Sequence, residues 1–510
     1  MHVKNVILLT ALIVGLGLMP TSRATAQIFT TLHSFTVVNT NSTGDYTNSD
    51  GAVPNSLSLL SSNTLYGDTT GGGTYGNGTL FKMKTDGTGF TNLYSFAPGK
   101  TNSLGIYTNS DGCAPNDGLI LSGSTIYGMA NSGGTNGSGT VFKINTDGTE
   151  FTNLYNFTAL KNNTNSDGYG PEGGLVLGGS TLYGTANEGG KFGNGTVFAI
   201  STNGVGFTNL HNFTALVFDL NSDGANPNAC LILSGSTLYG TAEFGGATSH
   251  GSVFAISTNG TSFTNLHSFT TSFVNSLGNQ TNSEGFNPNS SLVLSNNTLF
   301  GTAISGGSMG AGTVFAVNTN GTFTTLHSFT FPVSPDYSNN DGASPYAGLT
   351  LSGSTLYGTA SEGGKFGNGT VFAISTNGTG FTTLHNFTTT LNGTNSDGFL
   401  GGGFPQPSLA ISSNTLYGVA WIGGTGGNGT VFSISFTPQL TIIPSGTNVI
   451  LSWPTNVAGF DYTGFTLKSA TNLVPTAAWG AVSPTPVVVS GQDTVTNTAS
   501  GTQMFYRLSQ

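Results

Sequence analysis

Between residues 29 and 435 the apolar positions come in short runs separated by Gly, Asn and Asp, and residues 172–213 show the pattern of one unit. Gly174-Leu-Val-Leu177 is a brief apolar run, and Thr181-Leu-Tyr-Gly-Thr-Ala186 alternates from face to face after a Gly-Gly turn. Both read as strands of one hairpin. Thr196-Val-Phe-Ala-Ile200 is apolar on both faces, and Asn203-Gly204 is a strong turn signal before Phe207-Thr-Asn-Leu-His-Asn-Phe213. The unit is therefore predicted to be four antiparallel strands. A strand apolar on both faces must be covered twice, which happens when each sheet lies between two others.

The chain repeats this unit. Leu-Tyr-Gly or its variant begins at Leu65, Ile126, Leu182, Leu238, Leu299, Leu356 and Leu416. A Gly-Thr-Val-Phe-like strand begins at Gly78, Gly139, Gly195, Gly251, Gly312, Gly369 and Gly429, and a proline introduces the short run at 54, 115, 171, 227, 288, 345 and 405. The Phe-Thr-x-Leu segment begins at Phe29, Phe90, Phe151, Phe207, Phe263, Phe323 and Phe381, so it precedes the first unit and is missing from the last. The expectation is an all-β chain: a seven-bladed β-propeller over 27–436 whose N-terminal strand, Phe29 to Phe35, completes the last blade and hides both edges. A β-solenoid is the competing architecture, but its coils are shorter than about 56 residues. Residues 179–214 and 353–388 agree at all positions except Asn187/Ser361, Val205/Thr379 and Asn209/Thr383, a mark of duplication.

After residue 436 the repeat stops, and Trp453 and Trp479 appear. Val449-Ile-Leu-Ser-Trp453, Phe465 to Lys468, Val487 to Val489 and Met504 to Leu508 read as strands of a small β-sandwich, 437–510, similar to a fibronectin type III domain. Ahead of the repeats, the apolar run Val6 to Leu18 and Ala24-Thr25-Ala26 read as a signal peptide, 1–26. That run is too short to span a bilayer, and a secreted or cell-surface protein without a transmembrane span in the mature chain is expected.

Gly at 78 of 510 positions and only 6% charged residues set the chain apart from ordinary globular domains, while 35 Phe and 16 Tyr exclude permanent disorder. The net charge of −10 and scattered lysines offer no phosphate-binding stripe, so nucleic acid is not an expected partner. Cys113 and Cys230 form no metal or redox motif and read as unpaired thiols. The Leu-Tyr-Gly-Thr, Gly-Gly, Gly-Thr-Val-Phe and Asp-Gly-x-x-Pro elements over 29–435 resemble the Gloeo-Verruco tandem repeats of exported bacterial proteins. That resemblance implies export and a propeller, and it supplies no catalytic residues. Phe300, Glu284 and the glycines at 401–403 depart from the pattern.

Asn-x-Asp-Gly recurs at Asn48/Asp50, Asn109/Asp111, Asn165/Asp167, Asn221/Asp223, Asn339/Asp341 and Asn395/Asp397, with Asn282/Glu284 as variant. An Asx turn before the proline is the simpler reading. Asp219, Asn221 and Asp223 have the spacing of a calcium loop, but Cys230 stands where a bidentate Glu belongs, so only weak Ca2+ binding and no resident cofactor are expected. His33, His211, His267, His327 and His385 share one register with Tyr94 and Tyr155, which predicts packing rather than ligation; His250 stands alone. Asp117, Glu172, Glu188, Glu243 and Glu362 are the carboxylates near the expected pore, and none carries a catalytic motif. The favoured reading is a monomeric, exported, non-catalytic propeller that binds glycan or protein or acts as a surface scaffold. A propeller enzyme acting on extracellular polysaccharide, a glycoside hydrolase or lyase, is the alternative. Ligand contacts are expected on the Asp-Gly/Gly-Gly face, with Tyr75, Phe192, Phe244, Phe366 and Trp421 as aromatic platforms and Asn221, Asp223 and Glu188 as polar partners.

Overall fold

The computed structural model describes residues 26–103, 105–116, 118–389, 393–400, 409–457, 460–472, 478–498 and 504–509. The leader, Asp117, Pro405 and the glycines at 401–403 lie outside them. Two compact units are present, Gln27–Ser435 with Ala458–Asp461, and Phe436–Val457 with Tyr462–Gln510.

Among the described residues of the first unit, seven antiparallel sheets follow one another, each with four strands in simple succession. The sheet from the third repeat orders Val176–Gly178, Thr181–Ala186, Thr196–Ser201 and Thr208–Asn212. The second repeat adds a fifth short strand, Cys113–Pro115. The seventh sheet takes its fourth strand from the other end of the chain, for Ala26–Ser34 lies beside Thr430–Thr437. The Phe35 N–H donates to the Gly429 carbonyl at 3.0 Å, so the two unmatched edges of the repeat array satisfy each other. First strands are as brief as their apolar runs, three residues in the third to seventh sheets.

What joins one sheet to the next is a cluster of four rings. Between the third and fourth sheets, His211 stacks on Phe263 at 3.9 Å, Phe263 stacks on Phe254 at 5.4 Å, and Phe213 meets both rings edge-on. The same arrangement recurs at the other seams, with Tyr94 on Phe151 and Tyr155 on Phe207 replacing His. The N-terminal strand serves two seams. Phe29 stacks on His385 of the sixth sheet at 3.8 Å and on Phe432 of the seventh at 5.3 Å, while His33 and Phe35 close on Phe90 and Phe81 of the first. Offset-stacked and edge-to-face pairs add to the apolar burial itself.

Leu-Tyr-Gly has its physical reason here. Gly184 sits opposite Phe198 on the neighbouring strand, and a Cβ on Gly184 would lie 2.6 Å from the Phe198 ring. The glycine thus leaves the space that the buried ring fills. The proline of each unit has a similar logic: at Gly429, whose φ is +99°, a Cβ would lie 2.4 Å from Pro54 Cδ, so only Gly admits the proline ring from the first repeat.

The second unit packs a four-stranded sheet (Thr441–Ser445, Asn448–Pro454, Gln492–Thr498, Val487–Val489) and a three-stranded one (Gly480–Ala481, Thr466–Ala470, Phe505–Ser509). Leu451, Trp453, Leu467 and Val495 form its buried core. Trp453 is buried, as its strand pattern predicts.

Replacing the fully buried Phe35 by Ala should cost about 3–5 kcal/mol and lower the calorimetric unfolding midpoint by several degrees. Phe218, 92% exposed, is the control, and Phe218→Ala should leave the midpoint in place. Equal midpoints for the two variants would deny the ring clusters their structural role.

Candidate functional site

The Asn-x-Asp-Gly loop is a fastening, and its fourth-repeat copy shows how. Asn221 Oδ1 accepts from the Gly224 and Gly246 N–H groups at 2.9 and 2.7 Å, while its Nδ2 donates to the carbonyls of Gly224 and Thr214. One amide therefore closes the Asx turn and ties it to the Gly-Gly loop. Asp223 faces the ring seam. His211 Nε2 lies 2.8 Å from Asp223 Oδ2, which also accepts the Thr214 N–H, and the Thr214 hydroxyl donates to Oδ1. Burial works to raise the carboxyls of Asp50, Asp223, Asp341 and Asp397, but hydrogen bonds from His, Thr hydroxyl and Thr N–H outweigh it and hold all four below the usual range.

The His register is thus packing and more. Each of the five histidines stacks on a Phe of the next unit and pairs with that unit's carboxylate, and Tyr94 and Tyr155 donate to Asp111 and Asp167 in the same way. The sequence offered a signal for this, since every unit holds one His or Tyr and one Asp or Glu in fixed registers. Asn221 and Asp223, expected as ligand partners, are engaged inside this fastening. Asp219 stands exposed beside them, and the described residues hold no group of three or more His, Cys, Asp or Glu able to hold a metal ion.

A second set of polar groups gathers where the first strands converge. Their convergence is visible in bonds between sheets: Thr185 Oγ1 donates to the Ala229 carbonyl at 3.2 Å, and Thr302 Oγ1 to the Ala347 carbonyl at 3.1 Å. The residue after each proline opens this edge, giving Asn55, Asn116, Glu172, Asn228, Asn289 and Tyr346 in successive units. The residue after the alanine that closes each Leu-Tyr-Gly segment joins them: Asn131, Asn187, Glu243, Ile304, Ser361 and Trp421 in units two to seven. An amide and carboxyl belt results. Glu172 accepts from Asn131 Nδ2 at 2.8 Å and Asn187 Nδ2 at 3.1 Å, and Asn226 Nδ2 donates to Asn187 Oδ1 at 2.8 Å. Glu243 accepts from Asn228 Nδ2 at 2.5 Å and Asn289 Nδ2 at 3.1 Å. Asn55 Nδ2 donates to Asn116 Oδ1.

These two carboxyls behave opposite to those of the seams. Burial first, and the charge of Glu188 with it, pushes Glu172 up to about 7 against its amide donors; burial and then the charge of Glu172 push Glu243 up to about 7. The belt therefore holds carboxyls that gain and lose a proton near neutrality.

Of the expected contact residues, Glu188 is exposed and acts electrostatically on Glu172. Phe244 and Asp219 share a hollow of about 320 Å³ with Asn226, a member of the belt. Trp421 occupies the belt's second-strand register in the seventh unit. Tyr75, Phe192 and Phe366 stand in the Gly-Gly loops of three different sheets, and the ammonium groups of Lys191 and Lys365 lie over the Phe192 and Phe366 rings. The sequence reading missed Asn131, Asn187, Asn226, Asn228 and Asn289. What could have found them is variation: these registers change chemistry from unit to unit while their neighbours repeat.

The fold is that of an all-β, propeller-like tandem-repeat protein with a polar belt at one edge of its sheets. The chain belongs to the Gloeobacter/Verrucomicrobia repeat family, whose model matches residues 21–217, 97–276, 157–333 and 271–450. No curated protein matches it in sequence. Among solved structures, an oligogalacturonate lyase in complex with manganese is 11% identical with a TM-score of 0.41, over 74% of this chain and 86% of that one. A putative 6-phosphogluconolactonase from Bacteroides fragilis is 14% identical with a TM-score of 0.41, over 79% and 95%. TolB from Acinetobacter baumannii is 14% identical with a TM-score of 0.32, over 59% of this chain and 58% of its own. Likenesses this low transfer neither substrate nor site residues. Among the described residues no helix is long and apolar enough to cross a membrane.

Two variants separate the two kinds of carboxyl. Asp223 is held below its unfolded pKa, so its contribution to stability is present above about pH 4 and disappears as the pH falls through the folded value. Asp223→Asn should destabilise by about 1.5–3 kcal/mol at pH 7 and by nothing measurable below about pH 2, a convergence that denaturant melts at both pH values would reveal. Glu243 is the reverse case. The folded state binds its proton more tightly, so stability falls as the pH rises from about 4.5 to about 7. Glu243→Gln should therefore melt higher than the parent at pH 8, by on the order of 1–3 kcal/mol, and at the same temperature at pH 4; a lower melting temperature at pH 8 would contradict the assignment.

Proposed function

We propose that the mature chain is an exported, non-catalytic seven-bladed β-propeller closed by its N-terminal strand, followed by a small fibronectin type III-like sandwich from about residue 437, and that it binds an extracellular glycan at the amide and carboxyl belt. The seven successive sheets, the pairing of Ala26–Ser34 with Thr430–Thr437 and the ring clusters at both seams of that last sheet support the closed architecture. The resemblance of residues 1–26 to a signal peptide and the repeat family support export.

One observation carries the binding reading. The seam and fastening positions repeat almost unchanged, whereas the belt registers run Asn, Asn, Glu, Asn, Asn, Tyr and Thr, Asn, Asn, Glu, Ile, Ser, Trp along the chain. Symmetric packing needs identical residues, and an asymmetric ligand needs different ones. Side-chain amides and carboxyls supply both donors and acceptors for sugar hydroxyls, and Trp421, Tyr346 and Phe244 supply flat apolar surface for a pyranose face. Asn221, Asp223 and Asp219 fit a supporting role in the loop, where weakly bound Ca2+ would add to binding without being required for it.

A second reading has its own observation. Burial pushes Glu172 and Glu243 both up to about 7, and Glu243 lies in the field of Glu172, a setting in which one carboxyl can give a proton while another takes one. On that reading the belt would cleave an extracellular polysaccharide.

A glycan-array screen of the mature protein, with and without Ca2+, tests the first reading. Specific glycans should be retained, and Trp421→Ala should weaken the best of them at least tenfold while circular dichroism stays unchanged. Full binding by a folded Trp421→Ala protein would move the site elsewhere on the molecule. Release of new reducing or unsaturated ends from the retained glycan, abolished in Glu172→Gln, would establish the enzyme in place of the binder.

A further inference from the structure

The belt has an imbalance that goes beyond a general affinity for sugars. Asn228 and Asn289 are 5% and 6% exposed, and both direct their amide nitrogen to Glu243 Oε2. That fixes the orientation of each amide, and the Oδ1 atoms of both are left buried with no hydrogen-bond partner. The Oδ1 of Asn55, 1% exposed, is in the same state. An orphaned buried acceptor is unfavourable, and three of them share the register that follows the proline. The Oδ1 atoms of Asn92, Asn153, Asn209 and Asn265 on the fourth strands are in the same state, but those of Asn228 and Asn289 alone flank a carboxyl.

The charges around the belt are of one sign. Glu172 raises Glu243, Glu188 raises Glu172, and Tyr346 feels both Glu243 and Glu362. The lysines of the Gly-Gly loops, Lys191 and Lys365, lie over their neighbouring Phe rings instead. Surplus acceptors and surplus negative charge at one place have one common remedy, a group that brings N–H donors and positive charge together. A protonated primary amine is compact, carries three donors and accepts nothing.

We propose that the belt around Glu243, Asn228 and Asn289 is a cation-accepting subsite that takes the protonated amine of an amino-sugar unit, a refinement that rests on the glycan reading above. The alternative source of the same chemistry is an inorganic cation held by the Asn oxygens and the carboxylates.

Three β-1,4-linked hexamers that differ only at C2 decide the matter by calorimetry: cellohexaose with a hydroxyl, N-acetylglucosamine hexamer with a neutral amide, and glucosamine hexamer with an ammonium group. The glucosamine hexamer should bind at least tenfold tighter than either neutral one. Glu243→Gln and Glu172→Gln should each remove most of that preference, while Asp86→Asn, which deletes one exposed turn carboxylate, should leave it. Equal binding of all three hexamers would overturn the cation subsite and leave the glycan reading standing. A preference that survives both Glu variants would reduce the effect to the net acidity of the chain and overturn the subsite too. Binding of none would overturn the glycan reading for this backbone and the subsite with it. A final arm titrates CaCl2 alone: saturable binding lost in Glu243→Gln that competes with the glucosamine hexamer would assign the site to a metal ion rather than an amine.

Discussion

The structure depends on one contact repeated at every seam: a ring of the outer strand lying flat on the first Phe of the next unit's Phe-Thr-x-Leu segment. Neighbouring sheets share no backbone ladder; a backbone bond between loops recurs at the seams, as from the Asn226 N–H to the Asn194 carbonyl at 3.0 Å, and side chains supply the rest. The ring cluster supplies apolar area and a preferred geometry at once, and it needs the glycine of Leu-Tyr-Gly to exist, because a Cβ there would strike the buried ring. The carboxylate clamp then fixes the angle of the stacked His or Tyr by tying it to the loop that leads into the next sheet. Packing, turn and polar pairing thus converge on one spot, and each explains a different part of the same repeat.

That convergence also explains what could be read from the chain. Strand type and order follow from Thr181 to Ala186 and Thr196 to Ile200, whose alternation and turn signals are local. The return of Phe29 to Phe35 to the last sheet follows from counting, because one end of the array has a segment that the other lacks. The pairing of His211 with both Phe263 and Asp223 was less accessible: alternation shows which face a side chain takes, not which residue it meets across a seam. The belt was harder still. Asn228 and Asn289 look like ordinary polar residues after a proline, and only their shared attachment to Glu243 gives them a common purpose.

Two populations of carboxyl live in one small fold. Asp50, Asp223, Asp341 and Asp397 at the seams are surrounded by donors and contribute to stability as anions. Those in the belt face too few donors and another acid, and they hold the folded state back at neutral pH. A scaffold with so few charged residues has little reason to place two such groups side by side, and strained electrostatics of this kind is where binding chemistry usually resides. The duplicated third and sixth units sharpen the point: they agree almost throughout residues 179–214 and 353–388, yet the belt positions Asn187 and Ser361 differ.

The placement of Ala26–Ser34 beside Thr430–Thr437 has a consequence for the order of events in folding. Asn428 Nδ2 donates to the Thr36 carbonyl across 392 positions of sequence, so closing that loop costs on the order of 5 kcal/mol of chain entropy. The inner sheets can form as soon as their own strands exist, each from local hairpins, but the last sheet waits for a segment synthesised before all of them. Until then Phe29, His33 and Phe35 have no seam to enter, and the rings of the first and sixth sheets that will meet them stay wet. Among the described strands Ala26–Ser34 is the one whose placement closes the longest loop, and that placement removes the two open edges together.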